Sequence, residues 1–447
     1  MSSLNLLRSR RSFTLFFKNC HMSNLKGWVK TALIGSLIFC GLIFGVVFIE
    51  IGLRIAGIEH VAFHTINEHR GWVGRPHVSG WYQTEGEAYV QMNSDGFRDQ
   101  EHTKVKPENT FRIALLGDSF VESLQVPLDK GFAAVIEREL SSCTALAGRK
   151  VEVINFGVTG YGTDQELITL REKVWDYSPD MVVLNFYTGN DISDNSHAIS
   201  QKLYAGEQAL LKPFFLLKDG DLVVDTSFIS TDTYRSKLTW WGKAYIKIKD
   251  HLRILQVANI IQDSLKNLNR VLSPQAIEEP LFSTGRHDQN SSWIDNNIYK
   301  PPTDPEWQQA WQVTEKLISL MHDEVIAKKA DFVVVTFGGP FQRDPSARQK
   351  EMQAFGVTDW FYSENRITAL GEGEGFSVLN LSPTLLDYTE QNNTCLYGFE
   401  DTLGCVGHWN ASGHQLAGKM IASGLCQQEG QKAAPMARLY PSGNFVR

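Results

Sequence analysis

Five short apolar runs punctuate the chain: FRIALLG (111–117), VEVINFG (151–157), MVVLNFY (181–187), DFVVVTF (331–337) and FSVLNL (376–381). Each is rich in β-branched and aromatic side chains and is bounded by glycine or polar turns, so each reads as a strand buried on both faces. The stretches between them carry apolar residues at helical spacing: KGFAAVIEREL (130–140), DQELITLREKVWDY (164–177), the long EWQQAWQVTEKLISLMHDEVIAKKA (306–330), a stretch near 345–370, and ASGHQLAGKMIASGL (411–425). Continuous apolar strands alternating with amphipathic helices predict a parallel sheet covered on both faces, a doubly wound α/β domain.

The rhythm is broken in two places. About 110 residues after Asn195, roughly 196–305, carry Trp240, Trp241 and short apolar runs, and end in the Pro- and Asp-rich YKPPTDPEW, which reads as an insertion on the sheet. Residues 53–109 are rich in Gly, His and aromatic side chains without a sustained period and read as an irregular approach segment. The α/β domain is expected over 110–447, with the insertion inside it.

Ahead of these lies TALIGSLIFCGLIFGVVFI, 19 residues without a charge between Lys30 and Glu50. That is enough to cross the roughly 30 Å of a bilayer's hydrocarbon core as a helix, and a transmembrane helix is expected over 31–52. Arg8, Arg10, Arg11, Lys18, Lys26 and Lys30 precede it with no acidic residue among them, whereas Glu50 and Glu59 follow. The positive-inside rule then makes 1–30 a cytoplasmic tail and places the remainder outside the inner membrane, in the periplasm. A cleaved secretory signal is disfavoured, because the run exceeds a usual h-region and no convincing A-x-A site follows.

Composition narrows the chemistry. With 43 Lys and Arg against 50 Asp and Glu the net charge is -7, and no basic stripe lies outside the extreme N-terminus, so nucleic acid is excluded as a partner. Of six cysteines, Cys20 falls in the tail and Cys40 in the membrane span, leaving Cys143, Cys395, Cys405 and Cys426 in the exported part, an even number in an oxidising compartment. The short loop between Cys395 and Cys405 favours their pairing, which leaves Cys143 with Cys426; two other connectivities stay open. The spacing is not that of a zinc site, and nothing calls for a metal or an organic cofactor.

In an open parallel sheet, ligands bind beyond the C-terminal strand ends. Three such ends carry glycine-containing polar turns: Gly117-Asp118-Ser119, NFGVTGYGT (155–163) and YTGNDISDN (187–195). Phosphate binding is a weak reading, since no P-loop or proper G-x-G-x-x-G opens a helix. Acyl transfer needs a nucleophile, a base, a group that orients the base, and donors aimed at the oxyanion. Ser119 is the candidate nucleophile; the N–H groups of Ser119 and Gly160 and the Asn190 amide are candidate donors; GHWNASGH supplies His408 and His414 as candidate bases. Singly, each has a plainer explanation: Ser119 a helix cap, Asn190-Asp191 an Asx turn, His414 a packed or capping residue.

Together, LLGDSF, NFGVTGYG, YTGND and HWNASGH occur in order, with 41 residues from Ser119 to Gly160 and 30 more to Asn190. In these blocks the chain resembles the GDSL or SGNH hydrolase family, over about 105–195 and 310–425 but not the insertion. The resemblance implies a flavodoxin-like, five-stranded fold and a serine esterase acting through an acyl-Ser119 intermediate. It makes His408 the base and then the acid, and makes Ser119 N–H, Gly160 N–H and Asn190 the oxyanion hole. The family's Asp three or two residues before the histidine is missing, for Cys405 and Val406 stand there. Asp401, brought back by a Cys395–Cys405 bridge, is the expected orienting acid, with a Ser–His dyad as the alternative. Asp118, adjacent to the nucleophile, is expected only to pin the turn.

The expected substrate is a small-molecule or carbohydrate ester, such as an O-acetyl or other acyl group on an envelope carbohydrate or lipid. An O-acyltransferase modifying an exported polysaccharide, and an inactive binding or assembly protein that keeps the fold, are the alternatives. Trp240, Trp241 and Trp409 would suit sugar stacking, or equally core packing.

Overall fold

The computed structural model describes residues 27–203, 210–271, 296–339, 348–349, 352–353, 356–399 and 405–439. It opens with α1 (Gly27–Ile55), none of whose side chains is buried against the rest of the chain. Two antiparallel hairpins follow, β1 (His64–Asn67) with β2 (Gly71–Gly74) and β3 (Ser79–Tyr82) with β4 (Ala88–Gln91). The α/β part then runs β5 (Thr110–Leu116), α2 (Ser119–Glu122), α3 (Phe132–Leu140), β6 (Lys150–Asn155), α4 (Thr163–Glu172), β7 (Met181–Tyr187) and α5 (Asp191–Asp194). The region of the insertion holds α6 (His197–Leu203), the hairpin β8 (Phe214–Lys218) and β9 (Asp221–Asp225), α7 (Asp232–Leu238), α8 (Trp240–His251) and α9 (Arg253–Val271). The chain closes with α10 (Pro305–Ala327), β10 (Asp331–Phe337), α11 (Tyr362–Glu374), β11 (Ser377–Asn380), α12 (Ser382–Asn392) and α13 (Ala411–Leu439).

Strands β6-β5-β7-β10-β11 form one sheet in that order, and every neighbouring pair is parallel. This is the flavodoxin-like doubly wound order, whose direction of winding switches between β5 and β7. Alternation along β5 shows why the runs have no polar side: Ala114 and Leu116 join a core with Leu167, Leu170, Leu317 and Ile318, whereas Ile113 and Leu115 join one with Phe132, Ile136, Ala417 and Ile421. Helices α4 and α10 therefore cover one face, and α3 and α13 the other.

The approach segment is more ordered than its sequence implies. Its strands are only four residues long, too short to show a period of two above noise. Phe63, Val90 and Met92 pack with Leu124, just beyond α2, so this segment sits against the turn at the end of β5. Helix α13 also outruns its expected end at 425, and Cys426 on it is joined to Cys143 beyond α3, with Cα atoms 5.8 Å apart. Cys395 is joined to Cys405.

Candidate active site

Gly117 follows β5 and the chain turns straight into α2, with Ser119 as its first residue. The cap of this helix is Asp118, whose carboxylate accepts the N–H of Phe120 at 2.9 Å, so the Ser119 hydroxyl is not used as a cap. That hydroxyl lies 2.8 Å from His408 Nε2. His408 Nδ1 in turn lies 2.5 Å from Glu85 Oε2, and Glu85 Oε1 accepts the backbone N–H of His408 at 2.6 Å. Glu85 thus grips both the ring and the main chain of the histidine. The acceptor position on Nδ1 is filled by Glu85; Asp401, expected there from the sequence, lies outside the described residues.

The protonation pattern follows from these partners. Burial would raise the Glu85 carboxyl, but the hydrogen bonds from the His408 ring and main chain, together with the positive charge the ring carries when protonated, outweigh it and bring the group below its ordinary value. An ionised carboxylate only accepts, so Nδ1 carries the hydrogen and Nε2 keeps its lone pair toward Ser119. Gly407 makes room for this grip: its φ is +98°, and a Cβ there would collide with Glu85 Oε1. The main chain around His408 is fixed by Gly398 N–H donating to its carbonyl at 2.9 Å and by Asn410 Nδ2 donating to the Cys395 carbonyl at 3.0 Å.

The other expected residues come to the same strand ends. Gly160 sits with φ +76° in the loop after β6. Asn190 follows β7 and donates from Nδ2 to Asp118 Oδ2 at 3.4 Å, which leaves its second amide hydrogen for a ligand. Burial pushes Asp118 up to about 6 in spite of the groups that donate to it. It holds the turn, as the sequence implies. His414 is fully buried, stacked on Phe132, and pushed down to about 3 by burial, so it is a neutral packing group. Trp409 is fully buried against Phe120 and Phe337 and cannot stack on a sugar, and Trp240 and Trp241 lie on α8.

Four residues that the sequence did not single out complete the surroundings, and three of them come from the approach segment. Arg98, fully buried, donates to the carbonyls of Glu122, Ser123 and Val126 and so fixes the chain leaving α2. Trp72 Nε1 donates to the Thr159 carbonyl at 2.9 Å. Glu122 accepts from the Thr159 N–H at 2.7 Å and lies 2.7 Å from His64 Nε2. The loop that presents Gly160 is therefore clamped from below by a buried carboxylate and from the side by an indole. No periodicity marks His64, Trp72 or Arg98, whose only sequence signal is an aperiodic stretch dense in Trp, His, Arg and Glu, and Glu122 closes the short helix that Ser119 opens.

The His64–Glu122 pair has a pH signature. Burial disfavours the His64 imidazolium, but the charge and hydrogen bond of Glu122 prevail, so its pKa is raised above 6.5. A raised histidine gives stability that is fully present below its unfolded value and is lost as pH rises through the folded value. The melting temperature is expected to decline as pH rises from about 6.5 into the alkaline range, and His64→Gln should flatten that decline. Thermal melts across pH check this; an equal decline in both proteins would assign it elsewhere.

No protein-family model matches this chain, and no curated protein does. Among solved structures it is similar to the acetyl xylan esterase AlAXEase, at 12% identity over 70% of this chain and 99% of that one, with a TM-score of 0.36. It is similar to a lipase/acylhydrolase from Enterococcus faecalis at 13% identity over 71% and 96%, with a TM-score of 0.33. For a catalytic mutant of the acetylxylan esterase Axe2 from Geobacillus stearothermophilus the values are 10%, 71% and 94%, and 0.32. Likenesses this distant transfer no activity.

Proposed function

We propose that this chain is a serine acyl-ester hydrolase of the GDSL or SGNH type, with Ser119 as nucleophile, His408 as base and acid, and Glu85 as the group that orients the base. The observation that carries the reading is the unbroken array from the Ser119 hydroxyl to His408 Nε2 and from Nδ1 to Glu85, placed beside the switch point of the sheet.

In the reaction, Ser119 Oγ attacks the ester carbonyl as its proton passes to His408 Nε2. The oxyanion is received by the N–H groups of Ser119 and Gly160 and by the Asn190 amide. His408 returns the proton to the departing alcohol, leaving acyl-Ser119. It then takes a proton from water, which attacks the acyl group, and restores it to Ser119 as the carboxylic acid leaves. Glu85 stabilises the imidazolium formed in both halves and stays ionised throughout. No acid stands just before His408 in the sequence, and Glu85 supports the active reading by lying against Nδ1, where an orienting acid would be needed.

The proposed setting is the inner membrane, with α1 as a single span, the N-terminus cytoplasmic and the α/β domain periplasmic. Supporting this are the uncovered apolar surface of α1, the basic residues ahead of it, and two disulfides in the part placed outside. The ester is proposed to be an acyl group on an envelope carbohydrate or lipid.

A fluorophosphonate probe tests the chemistry on the full-length protein. Stoichiometric labelling of Ser119, mapped by peptide mass and absent in Ser119→Ala, is expected. A folded wild-type protein that takes up no label would overturn the proposal.

A further inference from the structure

The end of α1 and the junction of α8 with α9 are built into one another. Glu50, the first charged residue after the apolar run, accepts the N–H groups of Arg253 at 3.1 Å and Ile254 at 3.0 Å and so caps α9 from another helix. Arg54, one turn further, donates through Nη2 to the carbonyl of His251, the last residue of α8, at 2.6 Å. Asp250 is held bidentately by Arg75 at 2.6 and 3.0 Å, and Gln256, almost fully buried, accepts the N–H of His60 at 2.9 Å. The C-terminal end of α8 is thereby fixed at the level where the apolar run of α1 stops.

The outer side of α8 is the reverse of what water favours. Trp241, Tyr245 and Ile248, spaced i, i+4 and i+7 on one stripe, are 74%, 49% and 51% exposed, and Trp240 beside them is 68% exposed. No residue of this 12-residue helix is buried, and its other exposed side chains include Lys243 and Lys247. Trp and Tyr place an apolar ring and a polar edge at the headgroup level, and lysines reach outward from there to phosphate. A helix with an exposed aromatic stripe, and lysines further round the same exposed arc beyond Trp240, is of the kind that lies in a bilayer's interface.

We infer that α8 seats in the headgroup layer of the leaflet from which α1 emerges, binding an anionic phospholipid surface through Trp240, Trp241, Tyr245 and Ile248 with Lys243 and Lys247. The inference rests on α1 spanning the bilayer. It commits to lipid because the C-terminal end of α8, at His251, is held by Arg54 of the helix that enters the membrane, and because the exposed lysines of α8 are positive in a chain that is negative overall. The catalytic domain is then held at two points and cannot swing freely about α1, which favours esters presented at the membrane surface over those far from it.

The test uses the full-length protein in phosphatidylglycerol-containing nanodiscs with or without shallowly brominated acyl chains. The emission of Trp240 and Trp241 is obtained as wild type minus the Trp240→Phe/Trp241→Phe double variant, which cancels Trp28 of α1. That difference emission is expected to fall about twofold on bromination, and to fall less in Lys243→Glu/Lys247→Glu. Turnover of a water-soluble ester by these variants should match wild type, which shows that they fold. Unquenched difference emission from protein that resists alkaline carbonate extraction overturns the seating of α8 and leaves the anchor standing. Release by carbonate overturns both.

Discussion

Glu85→Gln is expected to lower kcat about 10⁴-fold on a simple acetyl ester while leaving KM nearly unchanged. The substitution is almost isosteric, but a carboxylate that accepts at both oxygens becomes an amide with one acceptor and one donor. Glu85 accepts from the His408 N–H and from the ring at Nδ1. If the amide oxygen stays on the main chain, the NH2 faces Nδ1 and drives the hydrogen to Nε2, which can no longer take the Ser119 proton. If the amide turns round, two donors meet at the His408 N–H. The first arrangement spoils the base and the second breaks the grip on the main chain that carries it, and neither touches the nucleophile.

The stability effect has the opposite sign to that of His64. The Glu85 carboxyl is held below its ordinary value, so its contribution is present at neutral pH and is lost as pH falls through the lowered value. The gap in unfolding free energy between wild type and Glu85→Gln should therefore close in acid. Steady-state kinetics together with denaturant melts at several pH values measure both effects. A variant that keeps wild-type turnover would leave His408 oriented by something other than Glu85.

Ser119→Ala is expected to be the more severe, about 10⁶-fold in kcat, because it removes the covalent path rather than weakening it. Ser119 is almost fully buried, and its hydroxyl pairs with His408, so alanine leaves no orphaned donor on the histidine, whose Nε2 has a lone pair and no hydrogen. The variant should fold with wild-type stability to within about 1 kcal/mol. Its residual rate above background is expected to be of order 10³, from the oxyanion donors and substrate positioning that remain. A variant that loses activity and also melts much lower would point to a structural role for this hydroxyl instead.

What the sequence revealed, and what it hid, divides along the range of the interactions. The five strands of the sheet were legible because burial on both faces removes every polar position from a run, and FRIALLG and DFVVVTF match β5 and β10 to within a residue. Ser119, Gly160 and Asn190 were legible because they sit at fixed offsets from those strand ends, and His408 because its block HWNASGH runs directly into α13. Glu85 was not. It sits in TEGE, between two four-residue strands, and reaches His408 only because the approach segment folds back over the strand ends. Local pattern carries no record of a contact made across the whole domain. The same holds for Arg98 and His64, which look like ordinary surface polar residues until the fold buries Arg98 and sets His64 against Glu122.

The separation between Glu85 and His408, 323 residues along the chain, also bears on how the protein matures. Contacts between such distant segments close large loops and form late, after local helices and the strand pairs beside them. The Ser119–His408–Glu85 array is then expected among the last features to appear as the polypeptide folds. Partly folded chains already holding the sheet and the Ser119 turn would lack the orienting carboxylate, so full ester turnover during refolding is expected only once the approach segment has closed over the strand ends.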